Sequence, residues 1–241
     1  RDSSTSRGLG DVYKRQEQKV CLITGATGFV GQYILNELVA SGRKVLALGD
    51  SEDAFSPLAA NNRLIKATSA LPISAAAFKE YNVQFCFGDI ADISFLASIF
   101  NTAAKSGIEI EFVLHLAAVR KGRQAVSGDG TANLLEVCRA YWQSNPDTFK
   151  GFFYAAGEGD LIRKFSQKDG FPVKFYQLRP SFAENGGKSG AGENLYRLFT
   201  PVDIPFLKKY QSRSVGKSAP VSDNDYIREL SQAVGRLLNN I

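Results

Sequence analysis

Chemistry in this chain gathers first at Gly25-Ala26-Thr27-Gly28-Phe29-Val30-Gly31, where three glycines recur at three-residue spacing. An apolar run, KVCLIT at 19–24, feeds the turn, and a stretch of helical period leaves it. That context suits close approach of a diphosphate to backbone: side chains would block it, while the free N–H groups and dipole of a helix N-terminus favour its charge. The turn predicts that Gly25, Thr27, Gly28, Phe29, Val30 and Gly31 hold a phosphate-bearing cofactor. The alternative is a plain tight turn that packs helix on strand.

An acid about 20 residues beyond such a turn commonly takes the ribose hydroxyls. Asp50 stands at that distance, after VLAL at 45–48, although Gly49 can equally fill the slot. An acid there favours NAD over NADP. Arg43 and Lys44 precede the strand and are weaker candidates for a 2′-phosphate. A turn-capping role for Asp50 is the competing reading. His115, the only histidine, lies inside an apolar run and reads as structural.

The elements that must carry these residues alternate. Strands are predicted at 19–24, 45–48, 83–87, 111–116, 151–155 and 173–178, and helices at 30–41, 93–104, 131–142, 161–167 and 225–238. In the first helix Val30, Ile34, Leu35, Leu38 and Val39 share one face, and Gly42 stops it. Residues 51–80 show no clear period, with room for a helix in the Ala/Ser-rich stretch 69–77. Strands separated by helices imply an α/β fold, a doubly wound parallel sheet of the Rossmann type, with right-handed crossovers. A small C-terminal appendage follows the Gly-rich stretch 184–192.

Composition narrows the partners. The chain has 241 residues, 44% of them hydrophobic, enough for one large core. Of the net charge of +5, residues 1–16 supply +2, through Arg1, Arg7, Lys14 and Arg15 against Asp2 and Asp11. The remainder is too weakly basic for nucleic-acid binding. Lys208, Lys209, Arg213 and Lys217 read as a solvated face rather than an anionic-partner site. Three scattered cysteines without CxxC spacing suit a reducing, cytoplasmic compartment, with an organelle left open, and no metal site is expected. No apolar stretch reaches the ~20 residues that span a bilayer. Residues 1–16, RDSSTSRGLGDVYKRQ, resemble translated vector sequence, with a disordered native tail as the alternative; either way they are expected to lie outside the fold, and the vector reading implies a missing native N-terminus. The expected organisation is a leader (1–16), a dinucleotide-binding domain (17–180) and a short C-terminal substrate or cap region packed on it (181–241).

Taken in order, TGATGFVG (24–31), GDI (88–90), VLHLAA (113–118), VSGDGTANLLE (126–136) and LRP (178–180) resemble the short-chain dehydrogenase/reductase superfamily, especially its extended and atypical NAD-dependent epimerase/dehydratase-like members. The resemblance spans residues 18–180. It implies an NAD or NADP cofactor, with Asp89 and Ile90 at the adenine and Leu116, Ala117 and Ala118 leaving room along the fourth strand. A helix N-cap is the other reading of Asp89. The C-terminal stretch also resembles small atypical members of the Tat-interacting-protein type, mainly in size and arrangement.

The resemblance further implies a tyrosine whose phenol is acidified by a lysine four residues later, beside an orienting serine. No tyrosine here is followed four residues later by lysine: Glu158 follows Tyr154, and Asn145 follows Tyr141. The fifth strand ends Ala155-Ala156-Gly157, and Ser127 replaces the supporting asparagine. Lys174 and Tyr176 share a strand, which does not make an acid. The expected function is therefore a cofactor-binding protein without Ser/Tyr/Lys chemistry: a sensor, a scaffold or a complex subunit, its protein partner or small-molecule substrate unknown. An atypical NAD(P)-dependent oxidoreductase or a sugar-nucleotide epimerase/dehydratase-like enzyme is the alternative, whether other groups act or the catalytic segment is missing from the sequence. A module of the same fold that has lost the cofactor is the third reading.

Overall fold

In the computed structural model, residues 18–50, 55–56, 62–69, 73–117, 127–155, 174–178, 180–181, 197–198, 232, 234–236 and 238 are described. Apolar residues run nearly unbroken through the central strands, as burial on both faces of a parallel sheet requires. Strands β1 (Gln18–Thr24), β2 (Lys44–Gly49), β3 (Ala67–Ser69), β4 (Val83–Phe87), β5 (Ile108–His115), β6 (Gly151–Ala155) and β7 (Lys174–Leu178) form one seven-stranded sheet. Every pairing in it is parallel, in the order β3-β4-β2-β1-β5-β6-β7. From β1 the chain winds outward through β2, then returns to the other side at β5. The strand order therefore reverses between β1 and β5, the point at which such sheets open a crevice for ligands.

Two cores lie on the two faces. Val20, Leu22, Leu46 and Leu48 face helices α2 (Ile93–Lys105) and α3 (Ser127–Ser144), with Leu96, Ile99, Leu134 and Cys138 buried between them. Cys21, Ile23, Val45 and Ala47 face the other way, with Ile34, Leu35 and Leu38 of α1 (Phe29–Ala40). The alternation along β1 and β2 is the strand period expressed as a doubly wound fold.

Residues 232, 234–236 and 238 are helical, and Val234 and Leu238 join the α1-side core. Arg43 Nη2 donates to the Leu238 carbonyl at 2.5 Å, and a Cβ at Gly235 would stand 2.8 Å from Glu37 Cγ on α1. This part of the region expected as an appendage is a piece of the sheet's own covering layer.

Three local expectations change. Residues 67–69 form edge strand β3, and Ala76–Lys79 a single 3-10 turn, where the Ala/Ser composition left room for a helix. Strand β5 begins at Ile108 rather than 111, since Ile108-Glu109-Ile110-Glu111 alternates buried and half-buried. Its register against β1 shifts between Val20 and Cys21, so that Ile110 and Phe112 are consecutive partners and Glu111 is the extra residue. Glu111 then meets Lys19 at 3.1 Å and Arg43 at 3.5 Å. The helix expected at 161–167 lies outside the described residues.

Candidate functional site

The parallel sheet brings the sequence-predicted residues to one edge. Strands β4, β2, β1 and β5 are consecutive neighbours and end at Phe87, Gly49, Thr24 and His115. Their exits present Asp89-Ile90, Asp50, the glycine turn and Leu116-Ala117 in that spatial order. Gly88 N–H donates to the Gly49 carbonyl at 2.9 Å, and Leu116 N–H to the Thr24 carbonyl at 3.1 Å, so adjacent exits are tied by backbone.

The three turn glycines have different reasons. Gly25 adopts φ +72°, and a Cβ there would lie 2.6 Å from Ala117 N. Only glycine allows the turn to lie against the β5 exit. A Cβ at Gly31 would lie 2.0 Å from the Gly25 carbonyl oxygen, so packing of α1 on its own turn demands that glycine too. Gly28 differs: it is exposed, with φ −69° and ψ 162°, and a Cβ there would meet only the Gly25 oxygen at 3.2 Å. It occupies the N-cap of α1 with no side-chain cap and no acid in the first turn. The first bond of the helix is Gln32 N–H to the Gly28 carbonyl, which leaves the N–H groups of 29–31 ahead of it. Phe29 and Val30 supply that backbone at the start of α1. Gln32 Nε2 donates to the Thr27 carbonyl at 2.8 Å and holds the loop to the helix.

Asp50 is exposed at the end of β2. Asp89 is exposed as well, and its Oδ1 accepts the Ala91 N–H at 2.8 Å, a local turn. The N-cap role belongs instead to Asp92, whose Oδ1 accepts from Ser94 N at 2.8 Å and Phe95 N at 3.2 Å. Ile90 packs on Gly130, where a Cβ would lie 2.9 Å from Ile90 Cγ1, and Asn133 Nδ2 donates to the Ala91 carbonyl. The GDI and GTANLLE stretches, separate in sequence, are thus two halves of one contact.

Behind the edge runs a polar chain that the sequence reading overlooked. His115, fully buried, shares a hydrogen bond with Thr24 Oγ1 through Nδ1 (2.6 Å) and with Thr131 Oγ1 through Nε2 (2.9 Å). Ala117 N–H points at the same Thr24 Oγ1 from 3.4 Å. Burial lowers the His115 pKa from 6.5 to about 4, which keeps the ring neutral. Thr24 and Thr131 stand in two of the motifs, but nothing local in the sequence pairs them with His115.

Other candidates are placed elsewhere. Arg43 and Lys44 lie at the start of β2, the opposite edge of the sheet, so neither serves a 2′-phosphate at the glycine turn. Arg43 is held by Glu111 and Leu238, and Lys44 Nζ donates to the Tyr81 carbonyl. Tyr141 is a core residue whose hydroxyl accepts from Ile110 N–H at 3.0 Å. Burial pushes the Cys21 and Cys86 thiols up to about 12 and raises that of Cys138 too, so none is a thiolate nucleophile. Ala118, Ala156 and Gly157 lie outside the described residues. Among the described residues no group of side chains could hold a metal ion, and no helix is long and apolar enough to cross a membrane.

The strand order, its reversal between β1 and β5 and the glycine turn define a Rossmann-type α/β protein, and its family match makes it one of the extended short-chain dehydrogenase/reductase class. The family model described as GDP-mannose 4,6 dehydratase matches residues 22–157, from β1 to just past the end of β6. The chain belongs to that family. It is 28% identical over 188 residues to GDP-mannose 4,6 dehydratase of Cricetulus griseus, covering 73% of this chain and 45% of that one. It is 30% identical over 159 residues to UDP-glucuronate 4-epimerase 2 of Arabidopsis thaliana, covering 61% and 32%. The chain thus spans less than half the length of these two relatives. Among solved structures, a betaketoacyl-ACP reductase from Bacteroides thetaiotaomicron shares the fold with TM-score 0.53 at 12% identity, over 93% of this chain and 92% of that one.

Proposed function

We propose that this chain binds NAD or NADP along the C-terminal edge of its sheet and does so without the Ser/Tyr/Lys acid–base machinery of its class, serving as a cofactor-binding sensor, scaffold or complex subunit. Gly28 carries the cofactor half of this reading. Gly25 and Gly31 are glycine because the protein's own backbone fills the space a Cβ would take. Gly28 has an ordinary backbone conformation and a single neighbour, the Gly25 oxygen at 3.2 Å, at a helix N-cap where Ser, Thr, Asp or Asn would otherwise add stability. A bare, uncapped helix start suits a diphosphate that must come within hydrogen-bonding distance of backbone. The backbone of Gly25, Thr27, Gly28, Phe29, Val30 and Gly31 would hold it. Asp50 would take the adenosine ribose, which favours NAD. Asp89 and Ile90 would flank the adenine, and Leu116, Ala117 and Ala118 would line the path toward the nicotinamide.

The cofactor's own chemistry, when bound, is hydride transfer at the nicotinamide ring. The sequence supplies no tyrosine with a lysine four residues on to exchange the accompanying proton. Residues 17–180 would form the cofactor domain and 181–241 a short cap packed on it. A second reading has its own support. The family match runs to residue 157, through the strand that supports catalysis in the class, and both cited relatives are named as sugar-nucleotide enzymes. Under it the chain is an epimerase/dehydratase-like enzyme or an atypical oxidoreductase that uses other groups.

Calorimetric titration of the full chain with NAD(H) and NADP(H) tests the cofactor reading, with Gly28→Glu as control. Gly28 is exposed, with ordinary backbone angles and one Cβ neighbour at 3.2 Å, so the variant should fold, while its carboxylate repels a diphosphate. Micromolar binding lost in the variant is expected. A folded wild-type chain that binds neither nucleotide sinks the proposal. Transfer of hydride from a nucleotide sugar to bound NAD or NADP, leaving a keto sugar, would decide for the second reading.

A further inference from the structure

The Thr24–His115–Thr131 chain costs more than its packing requires. An imidazole in an apolar strand loses its hydration and must be repaid by hydrogen bonds at both nitrogens, where a leucine or phenylalanine would need none. Each partner sits on a different element. Thr24 is the last residue of β1 and adjoins Gly25; His115 is the last residue of β5 and precedes Leu116-Ala117; Thr131 lies in the first turns of α3. The three segments joined are the glycine turn, the β5 exit and the helix that carries Gly130 against Ile90.

One hydrogen-bond direction is fixed by its donor, and the two at the ring depend on the tautomer. Ala117 N–H can only donate, so Thr24 Oγ1 accepts there. The assigned arrangement directs the Thr24 hydroxyl proton to His115 Nδ1 and places the ring proton on Nε2, donated to Thr131 Oγ1; Thr24 Oγ1 has a second lone pair, so the reverse tautomer is the alternative. In the assigned arrangement the order is Ala117 N–H to Thr24 to His115 to Thr131, running inward from the β5 exit.

We infer that Thr24, His115 and Thr131 act as positioning residues for the dinucleotide site. By fixing one ring tautomer they set the Thr24 hydroxyl that anchors Ala117 N–H, and so hold the β5 exit at the distance the glycine turn needs. None of the three is required to touch the cofactor. The inference rests on the dinucleotide reading above. It adds that affinity depends on a hydroxyl buried behind the site.

Two measurements on the full chain test it. His115 is the only histidine, so ring ¹H–¹⁵N correlations report it without overlap. At pH 7 the Nε2–H tautomer is expected, and a dominant Nδ1–H form would overturn the assignment. Calorimetry with NAD(H) and NADP(H) at a temperature far below unfolding then compares wild type, Thr24→Val, Thr24→Ser and Thr131→Val. Loss of one buried hydrogen bond from the positioned state should weaken binding about tenfold in both valine variants. Thr24→Ser, which keeps the hydroxyl, should stay within about twofold of wild type. Valine variants with lowered Tm but wild-type affinity would leave the chain merely structural and refute the inference. If Thr24→Val does not fold, Thr131→Val and the wild-type ring spectrum decide alone. A wild-type chain that binds neither nucleotide fails one step earlier, at the cofactor reading itself.

Discussion

Replacing Gly31 and Gly28 by alanine, one at a time, separates what the fold needs from what a ligand needs. At Gly31 the new methyl would stand 2.0 Å from the Gly25 carbonyl oxygen and 2.9 Å from Ala26 Cα. Both neighbours are backbone, so relief requires moving α1 away from the turn, in a packed interior where overpacking costs about 1–3 kcal/mol and occasionally more. Alanine's better helix propensity returns at most about 1 kcal/mol. A net loss of about 2 kcal/mol or more is expected for Gly31→Ala. At Gly28 the single neighbour at 3.2 Å asks for a shift of a few tenths of an ångström, and the backbone angles suit any residue. Alanine is a poorer N-cap than glycine by roughly 0.5–1 kcal/mol, and lowered unfolded-state entropy returns about 0.4–1 kcal/mol. Stability should therefore stay within about 1 kcal/mol of wild type. Urea unfolding followed by circular dichroism measures both variants, and calorimetry on Gly28→Ala measures dinucleotide affinity, expected to fall although stability does not. Equal destabilisation by the two alanines would refute the reasoning, since Gly28 would then be there for packing.

Two more perturbations follow. His115 titrates near 4 in the folded chain against 6.5 when unfolded, so the unfolded state takes up its proton first as pH falls. Stability present above pH 6.5 is lost on acidification until about pH 4, and between pH 7 and 5 the loss should be about 2 kcal/mol in urea titrations. A flat profile over that range, or an equal slope in His115→Gln, would count against it. Arg43→Met keeps the aliphatic stem but removes the bonds to Leu238 and Glu111. It should cost about 2 kcal/mol and speed limited proteolysis near residue 238, and an unchanged cleavage rate would argue against the clamp.

Legibility in sequence followed periodicity. The central strands and α1 were readable because burial on two faces, or along one stripe, writes a repeat into the residues. Edge strand β3 was not, since ATS at 67–69 carries no apolar period and is a strand only because β4 lies beside it. The start of β5 was missed because Ile108-Glu109-Ile110-Glu111 alternates buried with half-buried, where a continuous apolar run was expected. At the site, Gly25–Gly31, Asp50, Asp89 and Ile90 were legible as motif residues and do converge on one edge. Thr24 and Thr131 were not, because a hydrogen-bond partner 91 or 16 residues away has no local signature. Arg43 was a weaker candidate for a 2′-phosphate because it precedes the strand, and β2 does place it at the far edge from Asp50.

The packing of Val234 and Leu238 beside α1 also bears on how the chain is made. Arg43 and its acceptor on Leu238 are 195 positions apart. At about 5–20 residues per second, a ribosome needs about 10–40 s to make the intervening chain. For that interval the face of Ile34, Leu35 and Leu38 lacks part of its cover. Apolar surface on α1 is therefore among the last in the chain to be fully covered, after the strands that share its core have been made.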